Sequence, residues 1–306
     1  KGLNFGTADN TPLVTVGGSA CARSGWIADT AVTCRATEGI GSTKDVSITI
    51  AVAVGTITQA ISYDIAALNR FTSPQLGVAG VYLDKGGNAP ATGASSVTLT
   101  GEDFGTFDTS AQMRPGGTGV ETTRWASDTV VAAKVAAGTA EELGVTVTVA
   151  TKFSTLTDAF TYDRVTPIGP LQGALASGPS SNAPMLGGTL VTVVASNFGH
   201  SGYSGVARVG SSACQSSSWV SESAIVCKES TGLANSHAII MSLAKQQATL
   251  SVAFTYNRPA LRGSTATNQA SDPTGPLTVF GENFGAYRSS ARARVAGTSA
   301  QATYWF

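Results

Sequence analysis

Three bulky aromatic side chains recur along this chain at a fixed spacing, and that spacing constrains the fold more than any other feature. A phenylalanine in a short N-F-G or D-F-G element stands at Phe5, Phe104, Phe198 and Phe284. A tryptophan follows each of them 21 residues later, at Trp26, Trp125, Trp219 and Trp305. Tyr63, Tyr162 and Tyr256 follow the first three tryptophans after a further 37 residues. Such register means one structural unit repeated, each copy with its own core. From each tyrosine to the next phenylalanine the distance instead varies, at 41, 36 and 28 residues. The reading is a partial repeat at 1–66 without its N-terminal strands, full repeats at 67–164 and 165–258, and a partial repeat at 259–306 without its C-terminal strands. A full repeat is near the size at which one core forms.

Within the repeat, apolar residues alternate with polar ones. Val46, Ile48, Ile50 and Val52 share one face of an extended segment, as do Val145, Val147 and Val149, and Ile239, Met241 and Leu243. This is the pattern of a half-buried strand. Ile61 with Tyr63, Phe160 with Tyr162, and Phe254 with Tyr256 share a face in the closing strand. No helical periodicity of useful length is present, so many short strands joined by glycine-rich turns predict an all-β sandwich. The eleven marker aromatics, from Phe5 to Trp305, are expected in its core, each phenylalanine plugging one end. The glycine of N-F-G suits a backbone conformation that a side chain would hinder. Asp29 and Asp128 stand where an aspartate caps a turn. A tryptophan that stacks on carbohydrate is the functional alternative to a core tryptophan, and fixed strand positions favour the core.

The cysteines follow the same frame. Cys21 and Cys34 lie five before and eight after Trp26, and Cys214 and Cys227 keep those offsets from Trp219. In the second repeat both are lost together, to Val120 and Ala133. Joint presence and joint absence predict Cys21–Cys34 and Cys214–Cys227 disulfides, each reinforcing a hairpin beside its tryptophan. A loop of this size stabilises by about 3 kcal/mol on the chain-entropy account. A metal or redox site would need further ligands or a C-x-x-C, and the chain has neither.

Composition narrows the setting. The formal net charge is zero and 12% of residues are charged. That leaves no electrostatic footprint for nucleic acid or an anionic membrane. Disulfides indicate an oxidising compartment. Serine and threonine make up roughly a quarter of the chain, which suits an extracellular surface open to O-glycans. No N-glycosylation sequon is present. No apolar run is long enough to span a bilayer, so no membrane contact is expected. The sequence opens within one repeat and stops within another, as a window on a longer array would.

The stretches GGTLVTVVASNFG (187–199) and VTVTVATKFSTLTDAFTYD (145–163) resemble the IPT/TIG domain, an immunoglobulin-like sandwich, and the resemblance covers essentially the whole chain. The cysteine pair about the tryptophan is similar to the variant in tandem IPT arrays of large extracellular proteins. These include fibrocystin-like ectodomains and repeat proteins of algae and other protists, some of them in ciliary hairs. The resemblance implies fold and an extracellular or ciliary-surface setting, and function only weakly.

Chemistry is sparse. His200 and His237 fall in non-equivalent positions of one repeat, and GHSGYSG (199–205) lacks G-x-S-x-G spacing. No catalytic, cofactor-binding or metal-binding set recurs, so no enzyme and no cofactor is expected. The leading expectation is a rod of sandwiches in a filament, coat or ciliary hair, its partners further copies or other structural proteins. The alternative is a receptor or adhesin ectodomain that binds a protein or glycan. The variable stretches 80–94 and 178–186 are expected to project sideways as contact loops.

Overall fold

The computed structural model describes residues 1–73, 86–172, 181–233, 236–266, 268, 275–289 and 291–305. Every regular element among them is a β-strand, as the period-two alternation requires. The chain divides into two compact units, Lys1–Ala136 with Glu142–Thr161, and Ala137–Glu141 with Tyr162–Phe306.

The first unit holds the first repeat and nearly all of the second. In the second repeat one sheet runs in the order Thr122–Ser127, Val130–Lys134, Ser96–Glu102, Ala67–Thr72. The other runs Gln112–Pro115, Leu143–Val149, Lys152–Tyr162, Gly87–Ala89. Val145, Val147 and Val149 are buried, as are Val97, Leu99 and Val131 of the other sheet. Phe71 and Phe160 meet edge to face with ring centroids 5.4 Å apart. Each such side chain stabilises by about 1.5–3 kcal/mol on burial. In the first repeat Leu13–Val16, Lys44–Ile50 and Ala53–Ile61 share a sheet, and Arg23–Ala28 pairs with Ala31–Arg35. Residues 1–66 hold no counterpart of the strands at 67–72 and 96–102. Val46, Ile48, Ile50, Phe5 and Tyr63 are accordingly only half-buried.

The second unit contains the third repeat. Its four-stranded sheet has the order Thr166–Gln172, Leu190–Ser196, Ala224–Lys228, Ser216–Ser221. The opposing five-stranded sheet has the order Ser181–Ala183, Gln246–Tyr256, His237–Leu243, Val206–Val209, Ser212–Ala213. The short Ser181–Ala183 strand runs parallel to the closing strand, with Asn182 opposite Thr255. The fourth repeat contributes Ala260–Ser264 paired with Val279–Glu282, and Arg294–Val295 paired with Thr298–Ser299. Phe284 and Trp305 there are half-buried.

Three expectations change. First, Trp26, Trp125 and Trp219 are half-buried rather than in the closed core. Trp125 and Trp219 lie on strands at the end of their sheets, so each indole is covered from fewer sides; Trp219 still packs against the core cluster. Second, the disulfides do not staple hairpins. Cys214 follows the Ser212–Ala213 strand of one sheet while Cys227 belongs to Ala224–Lys228 of the other, so the bridge ties sheet to sheet. Cys21–Cys34 does the same, and in both bridges the Cα atoms are 5.8 Å apart. Third, residues 80–85 and 178–180 of the two variable stretches lie outside the described residues, and the remainder does not project as a loop. Ala89, Ala91, Ala183 and Met185 are buried in their own sandwiches. Asn88 and Asn182 accept hydrogen bonds from Thr161 and Thr255, each 2.9 Å. Gly87–Ala89 and Ser181–Ala183 are short strands at the edge of their sheets, each with its alanine buried and its asparagine tied to the closing strand.

Candidate functional site

The recurring polar chemistry of this chain gathers around the N-F-G turn and the segment that links one repeat to the next. In the turn, Asp103 has φ 63° and Gly105 φ +97°. Aspartate, asparagine and glycine tolerate this left-handed region best. The fully buried Phe104 between them donates its N–H to the Asp128 carbonyl at 2.9 Å, and Gly105 N–H reaches Asp128 Oδ1 at 2.8 Å. Phe5 and Gly6 bond Asp29 in the same way, at 2.9 and 2.8 Å. Asp29 and Asp128 therefore hold a turn 23 residues earlier in the chain rather than only capping their own. In the third repeat Glu222 keeps the backbone half of the arrangement, accepting Phe198 N–H at 2.9 Å.

The glycine of each turn packs on the repeat before it. A β-carbon at Gly105 would lie 3.1 Å from Ile40 Cγ2, one at Gly199 2.8 Å from Thr139 Cγ2, and one at Gly285 3.1 Å from Leu233 Cδ2. Ile40, Thr139 and Leu233 occupy one equivalent position, 23 residues before the tyrosine of their repeat. Ser42 adds a hydrogen bond to Thr151 Oγ1 through its hydroxyl, at 2.9 Å.

The linkers are bonded as well. Gln246 Oε1 accepts the N–H of Val165 at 3.0 Å, and Gln246 Nε2 donates to the Asp163 carbonyl at 3.4 Å. Asn197 Nδ2 donates to the Arg164 carbonyl at 2.8 Å, and Asn283 Nδ2 to that of Arg258 at 3.4 Å. Lys152, which holds the place of Gln246 in the second repeat, donates to the Tyr63 carbonyl. These residues are not legible as a site in the sequence, because lysine and glutamine share no letter pattern. The recurring Asn-Ala-Pro at 88–90 and 182–184 was the one available signal for the asparagine–threonine pair.

Each tyrosine closes its sandwich. Tyr63 and Tyr256 donate their hydroxyls to the carbonyls of Thr37 and Ser230, both at 2.9 Å. Gly39, Gly138 and Gly232 leave the space their rings need, since a β-carbon there would collide with them. Burial, with Tyr203 nearby, pushes the Tyr162 phenol up to about 12. His237 bonds the Leu233 carbonyl at 2.8 Å and lies edge-on to Tyr256, while His200 is exposed. Tyr203 of the 199–205 stretch packs on the core cluster. Among the described residues no three of His, Cys, Asp and Glu are grouped to hold a metal ion, and no helix is long and apolar enough to cross a membrane. A polar pocket of about 410 Å³ is lined by Asn182, Thr255, Tyr256, Asn257 and Arg258.

Comparison with known proteins places this geometry. No curated protein sequence matches the chain. Among solved structures, a surface glycan-binding protein from Prevotella bryantii is similar at 10% identity and a TM-score of 0.40, over 63% of this chain and 43% of that one. A tandem of titin domains is similar at 8% identity and a TM-score of 0.28, over 82% and 90%. The plexin A4 extracellular region is similar at 13% identity and a TM-score of 0.29, over 83% and 31%. The chain thus spans less than half the length of the first and third. The profile of the IPT/TIG domain matches residues 1–65, 88–162 and 177–256, which is more than half of the chain. With three such matches on sandwiches of this construction, the chain belongs to the IPT/TIG domain family.

Proposed function

We propose that this chain is a non-catalytic structural part of an extracellular assembly, a tandem array whose modules are 1–66, 67–164, 165–258 and 259–306. The observation that carries the reading is the bonding of the linkers. Backbone groups of Tyr63, Asp163, Arg164 and Arg258 are each held by a side chain of the repeat that follows, and the Val165 N–H is held by Gln246 within its own repeat. A linker held in this way has lost the freedom that a flexible linker keeps. Low charge lets such modules pack side by side at little desolvation cost. Filament, ciliary hair and surface coat are the assemblies this serves, with further copies or other structural proteins as partners and O-glycans on the Ser/Thr-rich surface.

Sedimentation velocity with negative-stain electron microscopy tests the reading. The expected result is concentration-dependent growth into ordered assemblies without added ligand. Single chains at every concentration would contradict it. A second reading, a receptor or adhesin ectodomain, draws on the polar pocket at Asn182 and Arg258. Saturable binding of a glycan or protein, abolished by Arg258→Ala, would favour it.

A further inference from the structure

We propose that Gln246 and Asn197 form a two-point clamp that locks the linker Asp163–Val165 onto the third repeat. The inference extends the tandem-array reading, but it is read out in single chains. Its failure therefore leaves the assembly experiment untouched.

Three consecutive linker residues give up a backbone group to the clamp. Asp163 and Arg164 give their carbonyls, and Val165 gives its N–H. Linker backbone ordinarily satisfies these groups with water. A primary amide can accept from one backbone group and donate to another at once. Gln246 does both while itself buried, with 4% of its surface exposed. Its place at the start of the Gln246–Tyr256 strand fixes the backbone from which it reaches. Asn197 reaches from the N-F-G turn, whose left-handed backbone is set at φ 69°. The Arg164 guanidinium is paired with Glu141 at 2.8 Å, so the side chain at the centre of the linker is held as well.

The same two positions grade the other joints. In the second repeat they hold Lys152 and Asp103. Lysine can donate to the Tyr63 carbonyl but cannot accept an N–H, and an ionised aspartate cannot donate at all. In the fourth repeat Asn283 keeps the asparagine contact at the longer distance of 3.4 Å. The segment 163–165 is therefore more firmly clamped than the one at Tyr63.

Limited trypsin digestion of the full chain reads this directly, because Arg164–Val165 is a cleavable bond inside the clamped segment. Slow cleavage there is expected in the unsubstituted protein. Gln246→Ala and Asn197→Ala should each raise it roughly fivefold to tenfold, as loss of one or two hydrogen bonds implies for local opening. Gln246→Lys should fall between, since it retains only donation. Cleavage after Arg208, within a sandwich strand, serves as the reference and should not change. Unchanged cleavage at Arg164 in the double variant would overturn the proposal, and so would an equal rise at Arg208, which marks loosening of the whole sandwich. If Gln246→Ala does not fold, Asn197→Ala alone decides the matter by hydrogen exchange at Val165. A faster Val165 amide beside an unchanged Val193 amide supports the clamp, and equal rates in variant and parent refute it.

Discussion

Asp128 holds Gly105: its Oδ1 accepts the glycine N–H at 2.8 Å, while its own carbonyl takes the N–H of the buried Phe104 beside it. The pair connects the turn after the tryptophan strand to the N-F-G turn, and so fixes the end of the sandwich where the preceding repeat docks. Asp128→Ala should destabilise the first unit by about 1.5–3 kcal/mol, the usual range for a hydrogen bond to a charged group. Denaturant unfolding measures it. A change within error would show that the turn stands without its carboxylate.

The sheet-to-sheet bridges of the first and third repeats predict what the second can accommodate. Val120 and Ala133 stand where the cysteine pairs stand, and the equivalent Cα atoms are 5.8 Å apart. Val120→Cys with Ala133→Cys should close spontaneously under oxidising conditions and stabilise the second repeat by about 3 kcal/mol. Thiol titration and thermal unfolding, with and without reductant, check both halves. Free thiols in the folded variant would mean that the second repeat has drifted from the geometry of its neighbours.

Much of this architecture is legible in the sequence, and the rest is hidden for definite reasons. Phenylalanine, tryptophan and tyrosine keep their spacing because each fills a place that no smaller residue fills, so their register exposes the repeat. The role of the disulfide is not legible. A separation of 13 residues suits a hairpin as well as a crossing between sheets, and only strand order separates the two. The half-burial of Trp125 is hidden for the same reason, since alternation reports which face a residue is on and not which strand forms the edge. The clamp is hidden because Lys152 and Gln246 satisfy one geometric demand with different chemistry.

Asp103 predicts a dependence on pH. Partial loss of solvent in the turn first, then the carboxylates of Asp64, Asp128 and Glu102, raise the carboxyl of this exposed residue above the ordinary 3.8. A group raised in this way favours the folded state fully only below its ordinary value, and that contribution is lost as pH rises through the folded value. The ionised form present at neutral pH is therefore disfavoured in the folded state. The other three repeats carry asparagine there, at Asn4, Asn197 and Asn283. Asp103→Asn should stabilise the first unit at neutral pH, and the gain should shrink as pH falls toward 3.8 and below. Paired thermal unfolding across that range tests the sign. A gain that grows on acidification would contradict it.

Glu229 is a carboxyl in the core of the third repeat, at the position that Val135 fills in the second. Burial pushes it above its ordinary value of 4.5, while the Thr189 hydroxyl, neighbouring backbone and Lys228 act the other way. Its stabilising contribution is likewise present below 4.5 and lost as pH rises through the raised value. Glu229→Val should stabilise the third repeat by about 1–3 kcal/mol at neutral pH, and less in acid. Calorimetry at two pH values reads the difference. Destabilisation at neutral pH would show that the carboxylate has a partner whose attraction exceeds its desolvation.

The account turns on linkers that are held rather than free, and NMR relaxation of the backbone amides of Asp64, Val165 and Arg258 measures that most directly. Held linkers predict order parameters near those of the strands, about 0.85, with Val165 more restricted than Asp64. Values below about 0.6 at Val165, in a chain whose strands remain rigid, would contradict the account.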